Sequence, residues 1–178
     1  MRIFIAALLP EEVKAAVGEY IRVLKPRCEG VRWEIHDNLH ITLKFLGSVD
    51  DTRVAQVSSL IGNIVRNYHP FEMSVLNFGG FPDLGNPRIL YIGLSENPDL
   101  SSLESGMEEE LEPLGFPKET HRFIPHVTIG RIKSRLGIKE PLPVPEKCKF
   151  TIGEVGVIKS ETGRDGSVYT PLDLFRLR

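Results

Sequence analysis

Two periods of apolar residues alternate along this chain, and the switches between them mark its elements. Residues 1–9 are nearly all apolar until Pro10-Glu11-Glu12 cuts the run. They predict a buried first strand, too short to span a membrane. Beyond Pro10, the residues Val13, Ala16, Val17, Tyr20, Ile21 and Leu24 recur at helical spacing, and Pro26 closes the pattern. Residues 31–34 and 39–46 read as extended, with Asp37-Asn38 as the turn between them and Gly47 as the stop, which puts His40 on a strand. Asp50-Asp51 caps a second helix reaching about residue 67, with Val54, Val57, Leu60, Ile61 and Ile64 on its apolar face. Strands over 71–78 and 88–94 flank a glycine- and proline-rich loop at 79–87. A third helix over 98–114 carries Leu100, Leu103, Met107 and Leu111 in register, with Gly115 behind its end. Residues 123–132 read as a strand and 133–147, rich in proline and basic residues, as an exposed connection. Segments 149–160 and 168–177 predict a closing hairpin around 162–166.

Composition narrows the class. The chain has 178 residues, 41% hydrophobic and 26% charged, as expected of a folded globular protein of one domain or two small lobes. A formal net charge of -2 gives no support to the broad basic surface that long nucleic-acid duplexes usually need, so any RNA contact is expected to be local. The two cysteines, Cys28 and Cys148, lie too far apart for a CxxC pair or a compact zinc site. Reduced thiols and a cytoplasmic location are expected. An acidic helix start directly after the first apolar run argues against a signal peptide.

The chemistry sits in a repeat. His40-Ile41-Thr42-Leu43 and His126-Val127-Thr128-Ile129 share one pattern, preceded by Asn38-Leu39 and Ile124-Pro125. With five histidines and seven threonines in the chain, chance supplies only about 0.2 His-x-Thr triplets. On a strand, residues two apart face the same side, so each copy presents an imidazole beside a hydroxyl while Ile41 or Val127 points into a core. If the copies belong to related lobes about an approximate two-fold axis, both pairs face one cleft. Reaction at phosphorus needs a base, an acid and donors for the nonbridging oxygens. Two histidines and two threonines supply all of these without a metal or other cofactor.

Other residues have plainer readings. His36 and Asp37 lie close to His40, but the spacing is not that of a zinc site and Asp37 suits a turn. His69 and His121 read as solvated loop residues. Phe45 and Phe81 could stack on a base, although rings in such places more often join the core, and Trp33 reads as packing. The glycines at 79–80 lack the Gly-Lys-Ser/Thr of a P-loop. Arg131, Lys133, Arg135 and Lys139 form a basic run that suits either a solvated face or the steering of RNA.

The stretches around the repeat carry a family resemblance. Residues 40–47 (HITLKFLG), 87–91 (PRILY) and 122–131 (RFIPHVTIGR) resemble the RNA 2′,3′-cyclic phosphodiesterases, historically called 2′-5′ RNA ligases, of the two-histidine phosphoesterase superfamily. The resemblance runs the length of the chain. It implies an α+β fold, one domain over 1–178, with two pseudo-symmetric lobes of antiparallel sheet and helices around a central cleft. It implies hydrolysis of RNA 2′,3′-cyclic phosphate ends to 2′-phosphate ends, with His40 as proton donor and His126 as acceptor. Thr42 and Thr128 would hold the phosphate. Family members carry an arginine at the position of Arg131 that approaches the phosphate. Its odd spacing from His126 would turn it to the wrong face of an ideal strand, so a bulge or strand end is required there. The expected partners are RNA ends or small nucleotides with a cyclic phosphate, acted on by a monomer away from membranes. Ligation by the reverse chemistry is the enzymatic alternative, and a noncatalytic reader of RNA ends or nucleotides is the other.

Overall fold

The computed structural model describes residues 1–138, 141–164 and 166–178, and the alternation of its first strand sets up both faces of the fold. On β1 (Arg2–Leu8), Ile3, Ile5 and Ala7 point into the main core, while Phe4 and Ala6 point to the other face and join a second small cluster with Ile158. Burying each large aliphatic side chain contributes about 1.5 to 3 kcal/mol. The chain continues through α1 (Glu11–Leu24), β2 (Cys28–Trp33), a 3-10 turn at His36–Asn38, β3 (His40–Ser48), α2 (Asp51–Val65), β4 (Phe71–Phe81) and β5 (Ile89–Leu94). After α3 (Pro98–Leu111) and a 3-10 turn (Glu112–Leu114) come β6 (His126–Ile138), β7 (Lys149–Ile152), β8 (Glu154–Thr162) and β9 (Ser167–Arg176).

Helix starts follow their capping chemistry. Asp50 accepts the Thr52 N–H at 2.9 Å to open α2, and Asn97 accepts those of Asp99 and Leu100 at 2.8 and 3.1 Å to open α3, with Pro98 in the first turn. Gly115, at φ 85°, takes the left-handed conformation that ends the turn after α3. Val13, Val17, Ile21 and Leu24 of α1 and Leu100, Leu103, Met107 and Leu111 of α3 bury their apolar stripes in the main core.

The fold is α+β. Strand order is β7-β4-β5-β6-β3-β1-β8-β9, with β2 paired to β6, and every pairing among the described residues is antiparallel. From the centre outward, β6-β5-β4-β7 mirrors β3-β1-β8-β9, so the sheet is two like halves joined at β3 and β6. The three helices cover one face, and the other is open.

Several expectations need correction. Residues 133–138, read as a connection, extend β6 because β2 pairs with them: Cys28 opposes Ile138 and Glu29 opposes Gly137. Residues 123–125 precede that strand rather than belong to it. Residues 149–152 do not join the closing hairpin; β7 pairs with β4 instead, Met73 opposing Phe150. Gly79, Gly80 and Phe81, read as loop, complete β4 against β5. The hairpin of β8 and β9 forms as expected. Lys139 of the basic run and Asp165 of the hairpin turn lie outside the described residues. Cys28 and Cys148 are free thiols.

Lys44 is buried on β3, and its Nζ donates to Glu108 Oε2 of α3 at 2.6 Å and to the Pro117 carbonyl at 2.9 Å. The Glu119 N–H donates to the same carboxylate oxygen at 3.1 Å, so the pair ties β3, α3 and the segment after it together. A buried charge stripped of its partner is costly. Lys44→Ala should therefore lower stability by about 3 to 5 kcal/mol in urea unfolding, and the Lys44→Met/Glu108→Leu double variant should lose much less than the two single changes together.

Candidate active site

The two repeats meet at the centre of the sheet. Ile41 of β3 pairs with Val127 of β6, and both side chains are buried. By the same antiparallel register, the flanking positions on the open face set His40 beside Thr128 and Thr42 beside His126 across the seam. These four residues line one groove with Arg131, in a cavity of about 590 Å³, large enough for a nucleotide-sized ligand. The structure thus brings together His40, His126, Thr42, Thr128 and Arg131. They share one groove between the two halves of the sheet.

Each imidazole is held the same way. His40 Nδ1–H donates to the Asn38 carbonyl at 2.6 Å, and His126 Nδ1–H donates to the Ile124 carbonyl at 2.7 Å. A carbonyl can only accept, so in both rings Nδ1 carries the proton and Nε2 is left for chemistry. Thr42 Oγ1 lies 3.0 Å from His40 Nε2, donating to it when the ring is neutral. Asn38 is itself fixed, because its side-chain amide donates to the Ser167 carbonyl of β9 at 2.8 Å.

A bulge follows each His-x-Thr. Ala6 opposes Thr42 but Ile5 opposes Lys44, so Leu43 is the extra residue. Tyr91 opposes Thr128 but Leu90 opposes Gly130, so Ile129 is the extra residue in the second copy. The bulge is what Arg131 requires: it returns the fifth position after each histidine to the groove, Phe45 in one copy and Arg131 in the other. The residue just before goes to the core, which explains why Lys44 is buried. Its counterpart is Gly130, where a Cβ would come within 2.6 Å of Val31 Cγ1, so the crossing of β2 leaves room only for glycine.

Aromatic rings pack around both histidines. Phe4 lies 4.8 Å and Tyr169 5.4 Å from the His40 ring, centroid to centroid; Phe81 and Tyr91, stacked on each other, lie 4.9 and 5.5 Å from His126. This packing removes water from the rings and disfavours the imidazolium. Burial pushes the His40 pKa down to about 4, with the bond to Asn38 opposing and the charges of His126, Arg131 and Lys14 adding to the fall. Burial also lowers that of His126, against the bond to Ile124.

Several contributors were not legible from sequence. Phe4 and Tyr91 lay within strand patterns that signalled only core, and Tyr169 reaches His40 from the far end of the chain. Glu34 accepts from Arg131 Nε at 3.3 Å; an acidic residue ending a strand beside Trp33 was its only signal. Phe45, 58% exposed, faces the groove, whereas Trp33 packs against the core as expected. His36 pairs with Glu11 at 2.9 Å and Asp37 at 3.2 Å. His69 Nδ1–H donates to the Arg178 carbonyl at 2.6 Å, and His121 is exposed at the groove's edge. No group of three His, Cys, Asp or Glu suited to a metal occurs among the described residues. None of the described helices is long and apolar enough to cross a membrane.

A curled antiparallel sheet that contributes one imidazole and one hydroxyl from each half to a common groove defines a class of phosphate-ester site. The family model for LigT-like phosphoesterases matches residues 8–91 and again residues 92–169, one His-x-Thr in each. The chain belongs to the LigT-like phosphoesterase family. An RNA 2′,3′-cyclic phosphodiesterase of Thermotoga maritima is 37% identical over 133 residues, covering 75% of this chain and 71% of the relative. One of Methanothermobacter thermautotrophicus is 32% identical over 184 residues, 99% of each chain. Among solved structures, E. coli LigT complexed with 3′-AMP superposes with a TM-score of 0.82 at 27% identity, covering 99% of this chain and 97% of that one.

The electrostatics can be checked without a substrate. In NMR titrations His40 should protonate near pH 4 and His126 below the ordinary histidine pKa of about 6.5, both in the Nδ1–H tautomer. Inorganic phosphate in the groove should raise both values, since an anion favours the imidazolium. A His40 that titrates at 6.5 or above in the free protein would contradict the packing account.

Proposed function

We propose that this protein hydrolyses RNA 2′,3′-cyclic phosphate ends to 2′-phosphate ends by acid and base catalysis from His40 and His126, without a metal ion. The observation that carries this reading is the pair of imidazoles in one groove with Nδ1 tied to backbone carbonyls, His40 Nε2 against the Thr42 hydroxyl, and Thr128 and Arg131 beside them. The names of the relatives support the substrate class, and the 3′-AMP complex of E. coli LigT supports a nucleotide-sized ligand in such a groove.

Neutral His126 takes a proton from water as its oxygen attacks phosphorus. The bond from phosphorus to O3′ breaks, and protonated His40 gives its proton to O3′, leaving a 2′-phosphomonoester. Thr42, Thr128 and Arg131 hold the nonbridging oxygens as charge builds on them. Burial keeps the free His40 imidazole neutral, and the bound phosphate anion favours its imidazolium, which takes its proton from solvent before giving it to O3′. Family resemblance sets the direction of transfer. Residues 1–178 act in this reading as one two-lobed domain, since the groove takes residues from both halves of the sheet.

The deciding experiment is incubation of the purified protein with an oligoribonucleotide ending in a 2′,3′-cyclic phosphate, followed by identification of the product isomer. His40→Ala and His126→Ala should each lower turnover by about 10²-fold or more, and Thr42→Ala or Thr128→Ala by roughly 10-fold, with the fold intact. Folded histidine variants with near wild-type turnover would overturn the reading. Binding without turnover in the wild type would make the protein a reader of RNA ends.

The pH profile follows from the same residues. The active form carries one proton on the histidine pair, so activity falls below the lower pKa, where both rings are charged, and above the higher, where both are neutral. With both values depressed, kcat/KM should be bell-shaped with its optimum between about 4 and 6.5. The kcat bell, which reports the phosphate-bound complex, should lie at higher pH. Dialysis against EDTA should leave the rate unchanged; loss restored by zinc or manganese would point to metal chemistry instead.

A further inference from the structure

A second hollow, of about 190 Å³, adjoins the groove and shares Glu34 and Asn38 with it. Arg32, Ile35, Arg164 and Val168 also line it. Arg32 stands directly opposite Arg131 in the ladder between β2 and β6. Residues so paired leave the sheet on one face with Cβ atoms about 5 Å apart, and like charges there repel unless an anion lies against them. Glu34, two positions beyond Arg32, emerges on the same face and pairs with Arg131. That leaves Arg32 with no ion pair among the described residues. Arg164, exposed in the turn after β8, has none either.

Charge differs between the groove and the hollow. The groove lining includes the carboxylates of Glu104 and Glu119, and its Arg122 is already bound to Glu96. The hollow presents Arg32 and Arg164, neither in an ion pair among the described residues. A polyanion whose terminal phosphate lies at the histidines is repelled by those carboxylates and attracted by the two guanidinium groups. Beside the arginines, Ile35 is 61% and Val168 52% exposed, which gives the hollow an apolar wall.

We propose that this hollow is the subsite for the penultimate nucleotide of an RNA strand, with Arg32 and Arg164 binding the phosphate that joins it to the terminal nucleotide and Ile35 and Val168 packing against its base. The inference rests on the cyclic phosphodiesterase reading of the groove. A guanidinium suits the task because its fork meets two phosphate oxygens at once.

Two substrates separate the subsite from the catalytic site: adenosine 2′,3′-cyclic phosphate, which has no upstream phosphate, and a dinucleotide with the same cyclic end. The wild type should show a kcat/KM about 10-fold higher for the dinucleotide, an advantage that shrinks as salt rises. Arg32→Ala and Arg164→Ala should each cut the dinucleotide value by about 5-fold and leave the mononucleotide rate unchanged, which also shows that the variants fold. In the double variant the two substrates should become equivalent. A dinucleotide advantage that survives both substitutions overturns the subsite while the hydrolysis reading stands. An advantage lost in Arg122→Ala instead puts the strand beside Glu104 and Glu119 and overturns it equally. If the wild type hydrolyses neither substrate, the phosphodiesterase reading fails and the subsite with it.

Discussion

The site depends on the pairing of two strand edges. Ile41 and Val127 bring β3 and β6 together, and that contact joins two like halves into one sheet. An uncovered edge invites pairing with another chain. Here each half covers the edge of the other, and β2 covers what remains of β6. Because side chains alternate, burying Ile41 and Val127 forces both histidines and both threonines to the open face. The four groups are neighbours because the seam is dry on one side. A register slip of one residue would bury the imidazoles and expose the isoleucine and valine, so the hydrophobic effect that holds the seam also aims the chemistry.

Everything around the seam serves to hold polar groups where water is scarce. The His40 and His126 rings lie against aromatic neighbours, and each spends one nitrogen on a backbone carbonyl two residues earlier. That bond fixes the tautomer and the ring plane together, so little reorganisation remains when a phosphate arrives. On the core side of β3, Lys44 and Glu108 occupy the position that the first bulge creates. In the other half, Gly130 fills the equivalent place and β2 lies against it. One backbone device thus has two packing solutions.

Much of this was legible in the sequence because the patterns were local. The 3.6-residue period gave α1, α2 and α3 to within a few residues, and the recurrence of His-x-Thr pointed to the groove before any contact was known. The spacing of Arg131 called for a bulge or a strand end, and β6 contains the bulge. What failed was non-local. Nothing in residues 133–138 says that β2 will pair with them, and residues 149–152 look like the start of a hairpin until β4 claims them. The aromatic neighbours of the histidines come from β1, β4, β5 and β9, so their convergence follows from strand order and not from spacing. Composition described the charged surface only in total, which hid carboxylates in the groove and two arginines in the hollow beside it.

The fifth position after each histidine breaks the symmetry of the halves: Phe45 in one, Arg131 in the other. Two imidazoles held in the same manner have no built-in sense of direction, so in the proposed reaction either is placed to give the proton or take it. A flat apolar ring on one side and a guanidinium on the other lend the groove a polarity, like the notch on a plug. In the proposed hydrolysis, which histidine faces the departing oxygen is then decided by how the ligand lies across that polarity. Exchanging the two side chains would invert it without touching the reacting pair.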